Sequence, residues 1–298
     1  MTETDAQRTR TGMLYALATF GAWGINPFYF KAVDEIPALE VLAHRVIWSS
    51  LLLGLLIWWG GQWRQVVMAT TTRRTLATLV LTSLIIGCNW LIYIHAVNSN
   101  QVLESSLGYF INPLVNILFG RLFLGERLTR AQMAAVALAG AGVLNLAIVY
   151  GEMPWLALGL AGTFATYGLL RKLARVEALP GLFIETLLLF PAALVVILVI
   201  GTRFGQMDRM TDLLLVLAGP VTALPLLWFT QAARRLKLSV LGFFQYLAPS
   251  CQFLLAIFAF GEQFGPAHYV TFACIWAAIA IFTLAPRLAR QSKIGLPP

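Results

Sequence analysis

The stretch Ser105–Glu126, SSLGYFINPLVNILFGRLFLGE, sets the strongest limit on what this chain can fold into. It is largely apolar over a length that crosses a bilayer, since about 20 residues of helix at ~1.5 Å each span the ~30 Å hydrocarbon layer. Yet it follows Glu104 and carries Asn112, Pro113, Asn116 and Arg121. Pro113 has no backbone N–H to donate, which frees the carbonyl of Tyr109. In lipid a freed carbonyl persists only where another helix, a side chain or water satisfies it, so this helix is expected to face a protein interior or a wet cavity. The passage recurs as Ser239–Glu262, SVLGFFQYLAPSCQFLLAIFAFGE. Leu107-Gly108 matches Leu241-Gly242 at an offset of 134, while Pro113 matches Pro249 and Gly125-Glu126 matches Gly261-Glu262 at 136. The chain reads as two related halves.

Composition places both halves in a membrane. Of the 298 residues 59% are apolar and 11% charged, with a mean hydropathy of +0.78, against roughly 25% charged in a soluble domain. Ten apolar segments follow one another with short connections, approximately 11–30, 37–59, 75–97, 103–124, 132–150, 156–173, 182–201, 213–233, 240–260 and 268–285. The first is too long, and too similar to those after it, to be a cleaved leader. The expected architecture is all-α, with ten transmembrane helices as two inverted five-helix repeats. Residues 11–150 and 154–286 form the repeats, and 1–10 and 287–298 are cytoplasmic tails. With the N-terminus inside, the 21 basic residues fall on the cytoplasmic side, except Lys31, Arg203, Arg209 and the intramembrane Arg45, as the positive-inside rule expects. The net charge of +8 therefore serves orientation, and no nucleic-acid partner is expected. Cys88, Cys251 and Cys274 lie in apolar segments without paired or metal-ligand spacing and read as small buried hydrophobes.

A second match supports the repeat, Thr19–Gly24 (TFGAWG) against Thr163–Gly168 (TFATYG). Five spans per half is an odd number, so the copies have opposite orientation. Inverted repeats build a site at their interface near the midplane and alternate its access by rocking one half against the other. This points to a carrier.

Intramembrane ionisable groups are candidate functional sites by default. Arg45 and Glu185 sit at comparable depths of spans two and seven; they could pair with each other, bind a charged substrate, or play a structural or snorkelling role. Asn89, Tyr93 and Asn100 share one helical face, Glu104, Gly108, Asn112 and Asn116 recur every four residues, and Gln245, Pro249 and Gln252 share another face. Amides of this kind glue helices together for about 1 kcal/mol each. Their coincidence with Pro113 and Pro249 in both halves also suits a cavity lining. Asn26 beside Pro27 adds a third break, which frees the Trp23 carbonyl. Trp90, Tyr109, Tyr167 and Tyr246 lie among the aromatics near these breaks and could stack a partly apolar substrate or form an interfacial belt. Small residues in span five (Ala135, Ala139, Gly140) and span ten (Ala273, Ala277) permit close helix approach, in internal packing or a homodimer seam, with internal packing favoured.

Signatures of catalysis are missing. The sequence holds no phosphate-binding loop, no HExxH and no nucleophile elbow. His44, His95 and His268 lack ligand spacing. No catalytic residue, metal or cofactor is expected.

The segments HRVIWS (from His44), GCNWLIYIHAVNSN (87–100), ESSLGYFINPLVN (104–116), FLGERL (123–128), IET (184–186) and LGFFQYLAPS (241–250) resemble the RarD group. That group lies in the EamA branch of the drug/metabolite transporter superfamily, and the resemblance runs from about Arg8 to Leu284. It implies a bacterial inner-membrane carrier of ten helices in inverted repeats. Better-understood members of the branch export amino acids and other metabolites, so the expected activity is outward secondary transport of a small organic compound, with amino acids the leading cargo. A non-transporting sensor and an intramembrane enzyme are the alternatives. Proton coupling through Glu104 or Glu185 is weighed against uncoupled export.

Overall fold

The computed structural model describes residues 5–124, 129–174, 176–236 and 244–294, and no β-strand occurs among them. Eleven helices follow in order: α1 (Asp5–Lys31), α2 (Ala38–Trp59), α3 (Trp63–Thr71), α4 (Arg73–Asn98), α5 (Val102–Leu124), α6 (Arg130–Tyr150), α7 (Trp155–Leu173), α8 (Ala178–Ile200), α9 (Arg209–Arg235), α10 (Leu247–Phe258) and α11 (Pro266–Ile294). The first and last run into the segments expected to be tails. Leu241-Gly242 and Gly125-Glu126, two of the matched pairs, lie outside the described residues.

Six of these helices, α2, α4, α5, α6, α8 and α9, are long and apolar enough to cross a membrane, and α10 and α11 hold shorter apolar stretches. The two further expected spans, α1 and α7, fall below that measure because Gly, Thr and Asn or Tyr replace aliphatic residues along them. Thr19 and Gly24 of α1 are buried and Thr163 and Tyr167 of α7 half-buried, so these side chains meet protein. Elsewhere the outer surface is apolar, with Trp58, Trp59, Leu198, Val199, Ile148 and Phe258 exposed. A surface of that kind suits lipid and would aggregate in water. The short α3, absent from the sequence expectation, tucks Val66 and Ala69 under the cluster formed by Leu53, Leu79 and Phe183.

The helices pack in a few dominant pairs: α6 with α11, α5 with α7, α2 with α8, α1 with α9, α2 with α9, α4 with α7, and α1 and α5 with α10. The largest core cluster joins α5, α6, α7 and α11 through Leu107, Phe110, Ala135, Ala139, Leu160 and Phe272. At the α6–α11 seam Ala135 and Ala139 are buried as expected, but Gly140, Ala273 and Ala277 face outward. The close approach comes instead at Gly142, whose carbonyl accepts from Thr271 Oγ1 at 2.8 Å. Cys88 is exposed, against expectation, and borders an outer groove with Leu42, Leu91 and Leu189.

Prolines shape the interior helices. Pro27, Pro113, Pro191, Pro220 and Pro225 all lie within helices. Pro249 differs from its expected place in mid-span: α10 begins at Leu247, so Pro249 occupies a first turn, where no N–H is needed.

Gly219 of α9 presses on α2. A β-carbon there would stand 2.7 Å from the carbonyl carbon and oxygen of Trp48, backbone that cannot turn aside. Gly219→Ala is expected to lower the thermal midpoint in detergent, at a cost of about 1–3 kcal/mol for overpacking. Gly140→Ala, with nothing within 4 Å, should leave it unchanged.

Candidate functional site

A cavity of about 890 Å³, open mouth included, lies where α1, α2, α4 and α5 meet α7, α9 and α10. Asn26, Arg45, Asn89, Trp90, Tyr93, Tyr109, Asn112, Tyr167, Gln245 and Gln252 all line it, together with Pro113 and Pro249. Aromatic rings with a few convergent polar groups are the lining that sites for small organic molecules use. Phe20, Trp23, Phe164 and Thr222 complete the wall. Trp23 and Phe164 belong to the matched TFGAWG and TFATYG segments, so the internal repeat was the signal that could have singled them out.

Four expected site residues and one expected break lie elsewhere. Asn116 is exposed and donates to Asn112 Oδ1 at 2.8 Å. Tyr246 stacks on Phe110 with ring centroids 6.4 Å apart. Glu104 faces the backbone N–H groups of Leu156 and Ala157, in the first turn of α7, where a carboxylate meets the positive end of the helix dipole. Glu185 sits behind Tyr167, and Pro27, buried in α1, is not among the wall residues.

The interior amides are tied to backbone. Gln252 Nε2 donates to the Trp23 carbonyl at 2.9 Å, the same carbonyl that Pro27 deprives of its helical donor. One side chain thus repairs the break and fastens α1 to α10. Asn89 Nδ2 donates to the Leu160 carbonyl at 3.1 Å and to Thr163 Oγ1 at 2.8 Å. Asn112 Nδ2 donates to the Ala161 carbonyl at 3.2 Å. These amides act as interhelical fasteners and as cavity wall together.

Arg45 and Glu185 do not pair. Arg45, 7% exposed, lays its guanidinium 4.4 Å from the Trp90 ring and 5.6 Å from the Phe30 ring, and its Nε and Nη1 have no hydrogen-bond partner in the protein. Glu185 is fully buried. It accepts from Thr82 Oγ1 at 2.7 Å and from Tyr167 Oη at 3.1 Å, and Arg171 Nε stands 3.6 Å away. The Arg171 guanidinium reaches it across Gly181, occupying the space a β-carbon there would take. Thr82 and Arg171 were not singled out in the sequence: Arg171 reads as one basic residue among several at a span end, and a lone threonine carries no signal.

One end of the bundle is bound shut. The Glu262 carboxylate accepts from the backbone N–H groups of Val102 and Leu103, both at 2.7 Å, closing the first turn of α5. Burial pushes the Glu262 carboxyl above the ordinary range, while those N–H groups and Lys31 pull it back. Lys31 Nζ donates to Asn100 Oδ1 at 2.5 Å. Beside them, buried Glu40 accepts from Thr202 Oγ1 at 2.8 Å and from the Arg203 N–H at 2.6 Å. Because the Thr202 hydroxyl proton goes to Glu40, its oxygen accepts from His44 Nε2 at 3.1 Å, and Trp48 Nε1 donates to His44 Nδ1 at 3.3 Å. His44 is consumed by this network. No group of three metal-ligating side chains occurs among the described residues.

Comparison with known proteins agrees with this picture. The EamA-like transporter family matches residues 10–148. An "Uncharacterized transporter" of Vibrio cholerae is 50% identical over 97% of this chain and 98% of its own length. Protein RarD of Escherichia coli is 49% identical over 94% and 96%. A "Chloramphenicol-sensitive protein RarD" of Pseudomonas aeruginosa is 34% identical over 96% and 98%. A crystal structure of a protein 18% identical superposes with a TM-score of 0.60, covering 93% of this chain and 98% of that one. That likeness is one of fold.

The Glu185 cluster carries a stability prediction. Arg171→Met leaves a buried carboxylate without its cation and is expected to cost about 3–5 kcal/mol, read as a lower thermal midpoint. Combining it with Glu185→Gln should restore most of the loss.

Proposed function

Because this chain belongs to the EamA-like transporter family, among its RarD-type members, we propose that it is a secondary transporter that moves a small organic solute outward across the bacterial inner membrane. The observation that carries the reading is the cavity, walled on one side by α1, α2, α4 and α5 and on the other by α7, α9 and α10. A site between two sets of helices, closed at one end, is what alternating access needs.

The reading includes ten spans in two inverted repeats, with both termini in the cytoplasm. Support comes from the packing pairs. Exchanging α1 with α7, α2 with α8, α4 with α9, α5 with α10 and α6 with α11 turns α5–α7 into α1–α10, α1–α9 into α4–α7 and α2–α9 into α4–α8. The pairs α2–α8, α5–α10 and α6–α11 map onto themselves, and every one of these contacts is present. In the proposed orientation the end fastened by Glu262, Lys31 and Glu40 faces the periplasm, so this conformation is closed to the outside. Proton coupling finds modest support: Glu185 touches the wall through Tyr167, whereas Glu104 is bound to the start of α7.

Counterflow in proteoliposomes tests the proposal. Protein loaded inside with an unlabelled solute should accumulate the labelled one, and Trp90→Ala should slow that exchange by about tenfold or more in the fraction that stays folded, since it strips one aromatic wall, with a lower thermal midpoint because the ring is buried. A folded protein that exchanges nothing across a broad panel of amino acids, carboxylates and chloramphenicol would sink the carrier reading. Flux that ignores a pH gradient and survives Glu185→Gln would remove coupling through that residue.

A further inference from the structure

Among the described residues the cavity wall carries one charged side chain, Arg45. Its guanidinium carbon lies over the Trp90 ring, 4.4 Å from the centroid. A cation over an aromatic face keeps its N–H donors for other partners, and Nε and Nη1, both shielded from solvent, lack any partner in the protein. A second unpartnered donor stands close by. The Tyr93 hydroxyl, on a residue 4% exposed, has no hydrogen bond, and both Tyr93 and Arg45 pack on Phe30.

Among the described residues no acid pairs with Arg45. Glu40 is held by Thr202 and the Arg203 N–H, Glu185 by Thr82, Tyr167 and Arg171, Glu262 by the start of α5, and Glu104 faces the start of α7. A buried cation without a counter-charge is costly, and a planar carboxylate is the ligand group that fits a guanidinium edge.

We infer that the cavity binds a monocarboxylate with an aromatic or apolar body and no free ammonium, its carboxylate on Arg45 and the Tyr93 hydroxyl. The inference deepens the carrier reading and rests on it only in making the bound molecule the cargo. An amino-acid carboxylate would find Arg45, but its ammonium would find no carboxylate on the wall. Gln252 Oε1, which also lacks a partner, offers one neutral acceptor, suited to an amide N–H. An N-acylated aromatic amino acid combines all three features.

The test uses the full chain in lipid nanodiscs and three probes of matched shape: N-acetylphenylalanine, its neutral primary amide, and zwitterionic phenylalanine. Binding is read by tryptophan fluorescence and by thermal shift. The acid is expected to bind about tenfold or more tighter than either other probe, the worth of a charge-assisted hydrogen bond. Arg45→Gln should erase that preference. Tyr93→Phe, which keeps the ring and the packing, should weaken the acid by about fivefold and leave the amide unchanged; it keeps the test open where Arg45→Gln fails to fold. Equal binding of amide or zwitterion, a uniform loss on all three probes in Tyr93→Phe, or no binding of any probe would overturn the inference. Counterflow separates the two readings. Acid-selective binding without exchange of the acid overturns the carrier and leaves the anion site, whereas exchange indifferent to the carboxylate overturns the site and leaves the carrier.

Discussion

The amide of Gln252 and the carbonyl of Trp23, 2.9 Å apart, illustrate the constraint on which the rest of the structure depends. A backbone group released by proline inside an apolar bundle has no solvent to turn to. Pro27 releases that carbonyl in α1, and α10 must come close enough to answer it. The same demand recurs where Asn89 and Asn112 reach the α7 backbone at Leu160 and Ala161. Each fastener places an amide at the boundary between helices, and the space left between those boundaries is the cavity.

Charge is distributed under the same constraint. Among the described residues Glu40 is answered by the turn after α8, Glu104 by the start of α7, Glu262 by the start of α5, and Glu185 by Arg171. These pairings fasten the bundle. Arg45 differs, since its neighbours are aromatic rings and its Nε and Nη1 are left without a partner in the protein. A fastening network and an unpartnered cation on a cavity wall are consistent with the carrier proposed above, in which the partner of that cation would arrive with the solute.

Much of this was legible in the sequence because it depends on periodicity and on backbone chemistry. The freed Trp23 carbonyl followed from Pro27 alone, and the four-residue spacings placed Asn89 and Asn112 on interior faces. The failures share a physical cause. Asn116 continues the stripe that contains Asn112, but at 3.6 residues per turn a four-residue repeat drifts round the helix, and by Asn116 the face has turned outward. Gly140 and Ala273 each lie two residues from the true seam at Gly142 and Thr271, about 200° round the helix. Arg45 and Glu185 sit at comparable depths of related helices, yet depth does not say which neighbour a side chain meets: Arg171 reaches Glu185 only because Gly181 leaves it room.

The sequence by itself determined that this is an all-helical membrane protein with polar residues at proline breaks, and it set the expectation of two related halves. Hydropathy, spacing and the missing N–H of proline are properties of the chain alone. The tertiary structure decided which polar groups serve the frame and which remain free. Glu104 and Glu185 went to helix start and ion pair, and Arg45 was left at the cavity edge without a counter-charge. That division depends on which helices approach to within hydrogen-bond distance of 3 Å or so, and an approach of that kind is a property of the packed bundle, set by contacts between residues far apart in the chain.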